Sequence, residues 1–231
     1  MSESIDDIIR VYQNLKGGRG VWEQHWEEIA ERILPRQIGF VGERTPGEKR
    51  TQKVFDSKPM VALERFASVM DSMLTPRQTK WHNLTTTSAE LNNDYEVKTW
   101  LSTVNQILYD SRYKPAANFA GQNAERWTSV GAFGTGAIFI DYDEGRGPTA
   151  RGLRYRCVSL RDLFLLENHQ GVIDTAYRRL YQTARQAAQR WGRDALPEAV
   201  LKDLDSPTGQ DKRHEFVHVV RPRTDYWPGR M

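Results

Sequence analysis

Residues Trp127–Tyr142 read W-T-S-V-G-A-F-G-T-G-A-I-F-I-D-Y, and the chain changes character across them. Ala124, Trp127, Val130 and Ala132 sit near helical spacing, as at the end of a helix with an apolar face. Gly136-Ala-Ile-Phe-Ile-Asp-Tyr is rich in β-branched and aromatic residues and reads as a buried strand. Gly131, Gly134 and Gly136 lie at the join. A dinucleotide fold runs strand, glycines, helix, so that a helix N-terminus meets the phosphate. Here the helix comes first and the strand last, and the Lys-Ser/Thr of a phosphate loop is missing. The glycines therefore read as a helix end, a tight turn and close backbone packing, with Trp127 beside them as a core anchor. The fold class that follows is α+β. Amphipathic helices occupy about 1–134, and 135–231 forms a β-rich, Arg-rich region with antiparallel hairpins and two short helices.

Upstream, Ser4 caps a first helix with Asp6 and Asp7 in its first turn. Its apolar face is Ile5, Ile8, Ile9, Tyr12 and Leu15, and Gly17-Gly18-Arg19-Gly20 ends it. A second helix spans about Val21–Leu34, with Trp22, Trp26, Ile29, Ala30 and Ile33 on one side. Glu23, Glu27, Glu28 and Glu31 lie largely opposite, and Pro35 stops it. Residues 37–52 lack periodicity and read as a long mobile loop, with Lys49, Arg50 and Lys53 on a solvated surface. Asp56 or Ser57 caps the next helix, which has Pro59 in its first turn and runs to about Leu74. Val61, Ala62, Phe66, Val69, Met70 and Met73 mark its expected buried side. Lys80–Thr85 alternates enough for a short strand, with His82 packed or on the surface, and a polar loop follows to Asn93. A helix over about Tyr95–Arg112 carries Val97, Trp100, Leu101, Val104, Ile107 and Leu108. Another, from about Ala116 to Val130, turns Phe119 and Trp127 inward.

Downstream, Asp141, Asp143 and Glu144 cluster before Gly145. They lack the twelve-residue calcium-loop pattern and the remaining ligands, so the cluster reads as an acidic turn. Arg151–Val158 returns as a strand with Leu153, Tyr155 and Cys157 on one face and Arg154 and Arg156 on the other. Asp162–Tyr181 reads as strand, turn, strand. Glu167, His169 and Asp174 lie close in sequence, but no Ser or Cys stands in a nucleophile elbow beside them. Thr183 caps a helix ended by Gly192, and Leu196–Leu204 is a short helix opened by Pro197. Asp205–Lys212 is a polar linker. Arg213–Arg221 is a strand whose His214 and His218 are too far apart to share an ion, and so read as polar surface. Beyond Pro222 no pattern remains. The stop at Met231 without a capped element reads as an ordered boundary or a truncated frame.

Composition narrows the classes further. The chain has 231 residues with 39% hydrophobic residues and a mean hydropathy of −0.68, low for a self-contained globule and suited to much subunit-facing surface. Seven Trp, nine Tyr and eight Phe make it too aromatic for a disordered chain. The single cysteine, Cys157, excludes an intrachain disulfide and a Cys-rich zinc site, and reads as a buried structural thiol. No leader and no membrane-length apolar run is visible, so a soluble protein made inside the cell is expected. Residues 1–145 hold 17 Lys+Arg against 20 Asp+Glu, and residues 146–231 hold 16 against 10. The basic part is mostly Arg, suited to carboxylate or phosphate.

Taken in order, a series of short motifs resembles the N-terminal part of the head-to-tail connector (portal) proteins of short-tailed bacteriophages. After the first helix come Trp22-Glu-Gln-His-Trp-Glu-Glu-Ile-Ala, Leu34-Pro35 and Val54-Phe-Asp-Ser. A helix ending Met73-Leu-Thr-Pro follows, with Trp81 just beyond. Asn118-Phe-Ala, Gly131-Ala-Phe-Gly-Thr-Gly-Ala-Ile-Phe-Ile and Glu167-Asn-His-Gln-Gly-Val-Ile-Asp-Thr come next, then Arg178-Arg, Gln186 and Val217-His-Val-Val-Arg-Pro-Arg. The resemblance implies a portal wing-like fold with stem, clip and crown absent. It also implies a structural subunit of a cyclic homo-oligomer, typically twelve copies, at the capsid vertex of the virion. Such a ring is assembled in the host bacterial cytoplasm. Its implied partners are the major capsid and scaffold proteins, the terminase large subunit, a tail adaptor protein and the double-stranded DNA that passes through. No membrane, cofactor, metal or catalytic residue is implied. The competing reading is a nucleic-acid-binding module, which needs Arg154, Arg156, Arg178 and Arg179 on one continuous face with aromatics. The same four are candidates for subunit contact. A metal-dependent hydrolase on the Asp141 cluster is a third and weaker reading.

Overall fold

The computed structural model describes residues 5–42, 47–143 and 152–222. In chain order the elements are α1 (Ile5–Gly18), α2 (Gly20–Ile33), α3 (Lys58–Leu74), α4 (Ala89–Asn93), α5 (Tyr95–Tyr113) and α6 (Phe119–Phe133). They continue with β1 (Ala137–Asp143), β2 (Gly152–Val158), β3 (Leu163–Glu167), β4 (Ile173–Thr183), α7 (Ala184–Trp191), α8 (Glu198–Asp205) and β5 (Arg213–Val220). The fold is α+β, with antiparallel sheets of order β1-β2 and β3-β4-β5. Packing divides the chain elsewhere than composition does. One compact unit is Gly20–Arg161, and the other joins Met1–Arg19 to Asp162–Met231.

The Gly20–Arg161 unit is built on α6, which packs along α3 and against β2. Local chemistry sets the helix starts. The Asp56 carboxylate accepts the Lys58 N–H (3.0 Å), and Asp94 accepts from Glu96 and Val97 at the start of α5. One apolar cluster joins Ala30, Ile38, Phe40 and Leu160, with Trp26 and Phe133 against it. A second joins Ala117, Phe119 and Tyr155 to Trp81, Tyr113, Ile138 and Leu153. There Trp81 stacks on Phe119, and Arg112 lies 4.6 Å over the Trp81 ring.

In the other unit, α1 packs Tyr12 edge-on to Phe164 of β3 (5.1 Å), with Tyr177 completing the cluster. Asp6 and Asp7 stand in the first turn of α1 and Lys16 in its last, each favoured by the helix dipole. Thr183 and Gln186 form a capping box at α7. Ala184, Ala187, Leu196 and Val200 pack α7 on α8, with Phe216 of β5 alongside.

Four expectations are corrected. Lys80–Thr85 forms no strand. Its side chains are taken up one by one instead: Trp81 by Phe119, and the His82 carbonyl by Asn105 (3.2 Å). The polar stretch before Asn93 holds a short helix, α4, whose Leu91 N–H is accepted by Ser88 Oγ. Ile38 and Phe40, expected in a mobile loop, are core residues. Finally, α3 buries Leu63 and Ala67, while Val61, Phe66, Val69 and Met73 are exposed.

Candidate functional site

The Trp127–Tyr142 corner is where most constraints meet. The α6 helix closes on Gly134, which is left-handed (φ 76°) and donates its N–H to the Val130 carbonyl; only glycine takes that backbone freely. Gly131 faces α3, where a Cβ would stand 2.6 Å from Leu63 Cδ1 and 2.7 Å from Phe66 Cδ1. Gly136 lies on α6 itself: a Cβ there would stand 2.7 Å from the Arg126 carbonyl oxygen. Trp127 is buried, and the Arg126 guanidinium sits 3.8 Å from its ring centroid. Burial lowers the Arg126 pKa.

Behind the corner lies a polar network that the apolar periodicity did not reveal. Asn123, 1% exposed, donates Nδ2 to Asp71 Oδ1 (2.6 Å) and to Thr75 Oγ1 (2.8 Å). It accepts Arg126 Nε (3.1 Å). Thr75 in turn donates to the Asp71 side chain and carbonyl, which closes the C-terminal turn of α3. Gln122 Oε1 accepts the Cys157 N–H (2.6 Å), tying α6 to β2. Glu27, expected on the solvated side of α2, is 7% exposed. One of its carboxylate oxygens accepts the Gly39 and Phe40 N–H groups, each at 2.7 Å. The signal for both residues is a hydrogen-bonding side chain at a position one turn from a core residue.

The four arginines fall into two kinds. Arg154 and Arg156 are exposed on β2, opposite Asp141 and Phe139 of β1. Arg178 and Arg179 are consecutive in β4 and so point to opposite faces of its sheet. Arg178 is 5% exposed, and Arg179 pairs with Asp162 at 2.9 Å with both side chains mostly buried. Burial pulls the Arg179 pKa down, but the hydrogen bond and charge of Asp162, helped by Tyr181 and Tyr12, carry it above its ordinary value. On the same unit Tyr12 donates to Glu215 (2.7 Å); burial, then Glu215, pushes the Tyr12 hydroxyl up. The pair Arg178 and Arg179 is thus part of the protein interior.

Other candidate groups are dispersed. The Cys157 thiol is pushed up to about 11, chiefly by burial and further by Glu125, with Arg126 opposing. It is a thiol, not a thiolate, at neutral pH. His214 was expected at the surface, yet it is largely covered and lies 3.0 Å from Asp203, which also holds Lys212 (2.9 Å). The hydrogen bond from Lys212, then its charge and that of His214, holds the Asp203 carboxyl below the usual range. Asp141 is exposed and accepts the Tyr142 N–H (3.0 Å). The Asp143 side chain and Glu144 lie outside the described residues. Among the described residues no three His, Cys, Asp or Glu side chains are placed to hold a metal ion, and no helix is long and apolar enough to cross a membrane.

Polar side chains thus serve as internal struts, and several large apolar residues are exposed. Residues 6–231 match the family described as bacteriophage head to tail connecting protein, and the chain belongs to it. It is 27% identical over 231 aligned residues to "Probable portal protein" of Bordetella phage BPP-1, covering 96% of this chain and 39% of that protein. It is 24% identical over 225 residues to "Portal protein" of Salmonella phage epsilon15, covering 97% of this chain and 39% of that one. The chain therefore spans about two fifths of the length of these relatives.

Proposed function

We propose that this chain is the N-terminal, wing-like part of a portal subunit. It is a structural piece of the ring at the capsid vertex through which DNA is packaged and ejected and to which the tail attaches. The observation that carries this reading is the family match along residues 6–231. In this reading Gly131, Gly134, Gly136 and Trp127 serve the geometry of one corner, and no residue serves catalysis. The principal partner is the same chain, in a closed ring of twelve copies. The major capsid and scaffold proteins, the terminase large subunit, a tail adaptor and double-stranded DNA are partners of the whole ring. Assembly takes place in the host cytoplasm and the product resides in the virion.

The test is the mass in solution by native mass spectrometry. A species near twelve copies is the expected result, and a monomer at tens of micromolar would refute self-assembly by this segment. No observation favours the nucleic-acid module, because Arg178 and Arg179 are held inside their own unit. A salt titration of duplex binding checks this, with weak affinity expected. Tight binding with a steep salt slope would revive the module.

A further inference from the structure

The α3 helix has two apolar sides. Met60, Leu63, Ala67 and Met70 form the covered one. The other, Val61, Ala62, Phe66, Val69 and Met73, is open, with Val61 54% and Met73 73% exposed. Ser57, Lys58, Val61, Arg65, Phe66 and Val69 line a shallow, open groove between the side chains of this one helix. Its charged lining residues, Lys58 and Arg65, are both cationic.

A second open apolar side lies on α5 of the same unit. Trp100 is 65% and Ile107 58% exposed, and with Thr103 they lie on one stripe by helical spacing. Glu96 and Asp110, both exposed, flank this ridge at its two ends. The ridge from Glu96 to Asp110 and the groove from Lys58 to Met73 each run for about 21–23 Å at 1.5 Å per residue. Within the unit α3 packs chiefly on α6, and α5 on α4, α6 and β2.

Building on the portal reading, we infer that the α3 groove of one copy receives the Trp100–Ile107 ridge of α5 from the next copy. Charge selects this pairing. Groove on groove would set Lys58 and Arg65 against their own kind, and ridge on ridge would do the same for Glu96 and Asp110. Groove on ridge joins opposite signs around an apolar centre with a Trp anchor, the composition of an interface hot spot. Two unlike patches on one protomer make a head-to-tail contact, the kind that closes into rings.

The experiment places Ala62→Cys in the groove and Thr103→Cys in the ridge, in a Cys157→Ser background, and applies a short bismaleimide to the full chain. The double variant is expected to give a ladder of covalent multimers, and each single variant only monomer. Trp100→Ala and Arg65→Glu, each with a native circular dichroism spectrum, are expected to weaken self-association at least tenfold. Covalent dimer from a single variant would mean a groove-to-groove or ridge-to-ridge contact and would overturn the inference. A ring mass with no ladder would overturn it and leave the ring reading standing. A monomeric wild type with no ladder would overturn both.

Discussion

The helix-to-strand corner can be tested by three substitutions that differ only in what a methyl group meets. Gly136→Ala puts Cβ 2.7 Å from the Arg126 carbonyl oxygen, 2.8 Å from Val130 Cγ2 and 2.9 Å from Arg126 Cγ. The nearest of these is helix backbone and cannot rotate away, so the start of β1 must move off α6. Overpacking of that kind costs about 3 kcal/mol, the upper part of the usual range. Gly131→Ala also collides, with Leu63 Cδ1 at 2.6 Å and Phe66 Cδ1 at 2.7 Å, but both are side-chain atoms. The helix gains about 1 kcal/mol from losing a glycine, which leaves a net cost of about 1 kcal/mol. Gly134→Ala meets nothing within 4 Å; its cost is the left-handed backbone alone, about 1–2 kcal/mol. The assay is urea unfolding followed by Trp fluorescence. At a slope of about 2 kcal/mol/M, 3 kcal/mol lowers the midpoint by about 1.5 M. Gly136→Ala should therefore stand well apart from the other two. A Gly136→Ala midpoint within about 0.3 M of wild type (about 0.6 kcal/mol at that slope), or below which Gly131→Ala falls, would refute the packing argument. Gly134→Val should fold and assemble poorly, because a β-branched residue is far less tolerant of positive φ.

Other residues carry separate expectations. Glu27→Ala strands two buried N–H donors and should cost about 2–4 kcal/mol, whereas Glu27→Gln keeps an acceptor and should cost about half as much; equal costs, read by the same urea assay, would contradict the assigned bonds. Asn123→Asp places a carboxylate against Asp71 Oδ1, 2.6 Å from the present donor. It should cost several kcal/mol at pH 7 by like-charge repulsion and recover in part at pH 4; a pH-independent loss would point elsewhere. Arg179→Met removes the 2.9 Å pair with the mostly buried Asp162 and should cost about 3 kcal/mol, and adding Asp162→Leu should restore part of it. For Cys157 the folded pKa of about 11 lies above the ordinary value of 9.0. The folded state therefore holds its proton longer than the unfolded one, and this contribution is complete below pH 9 and falls as pH rises from about 9 to about 11. Thiol reagents at pH 8 should label native protein much more slowly than unfolded protein; equal rates would show the thiol to be open.

Much of this molecule was legible because local chemistry and tertiary packing agree in it. Thr183 at the start of α7 and Gly134 at the end of α6 each satisfy helix-end groups through bonds that depend on near neighbours in sequence. Phe119 and Trp127 are inward as expected, since α6 is enclosed by α3 on one side and β2 on another. Glu27 was misplaced for the opposite reason. Its partners are the Gly39 and Phe40 amides, twelve and thirteen residues away, and no periodicity signals an amide that needs an acceptor. Residues 80–85 alternate without being a strand because alternation reports two environments, and a helix plus an aromatic cluster supplies them as well as a second strand would.

The misreading of α3 bears most directly on function. Apolar periodicity identifies residues that avoid water, and it is silent on which neighbour covers them. On α3 Phe66, Val69 and Met73 satisfy the helical period as well as Leu63 and Ala67 do, yet they are 40%, 47% and 73% exposed while the second pair is buried. A choice between the two needs the position of α6, which the α3 sequence does not contain. The same holds for α5, whose Trp100 and Ile107 match the period and stay open, while Asn105 beside them is buried on the His82 carbonyl. On both helices the period alone thus did not tell the covered apolar residues from the open ones. The interface proposed above joins these open faces, so it starts from the residues that the periodicity left unresolved.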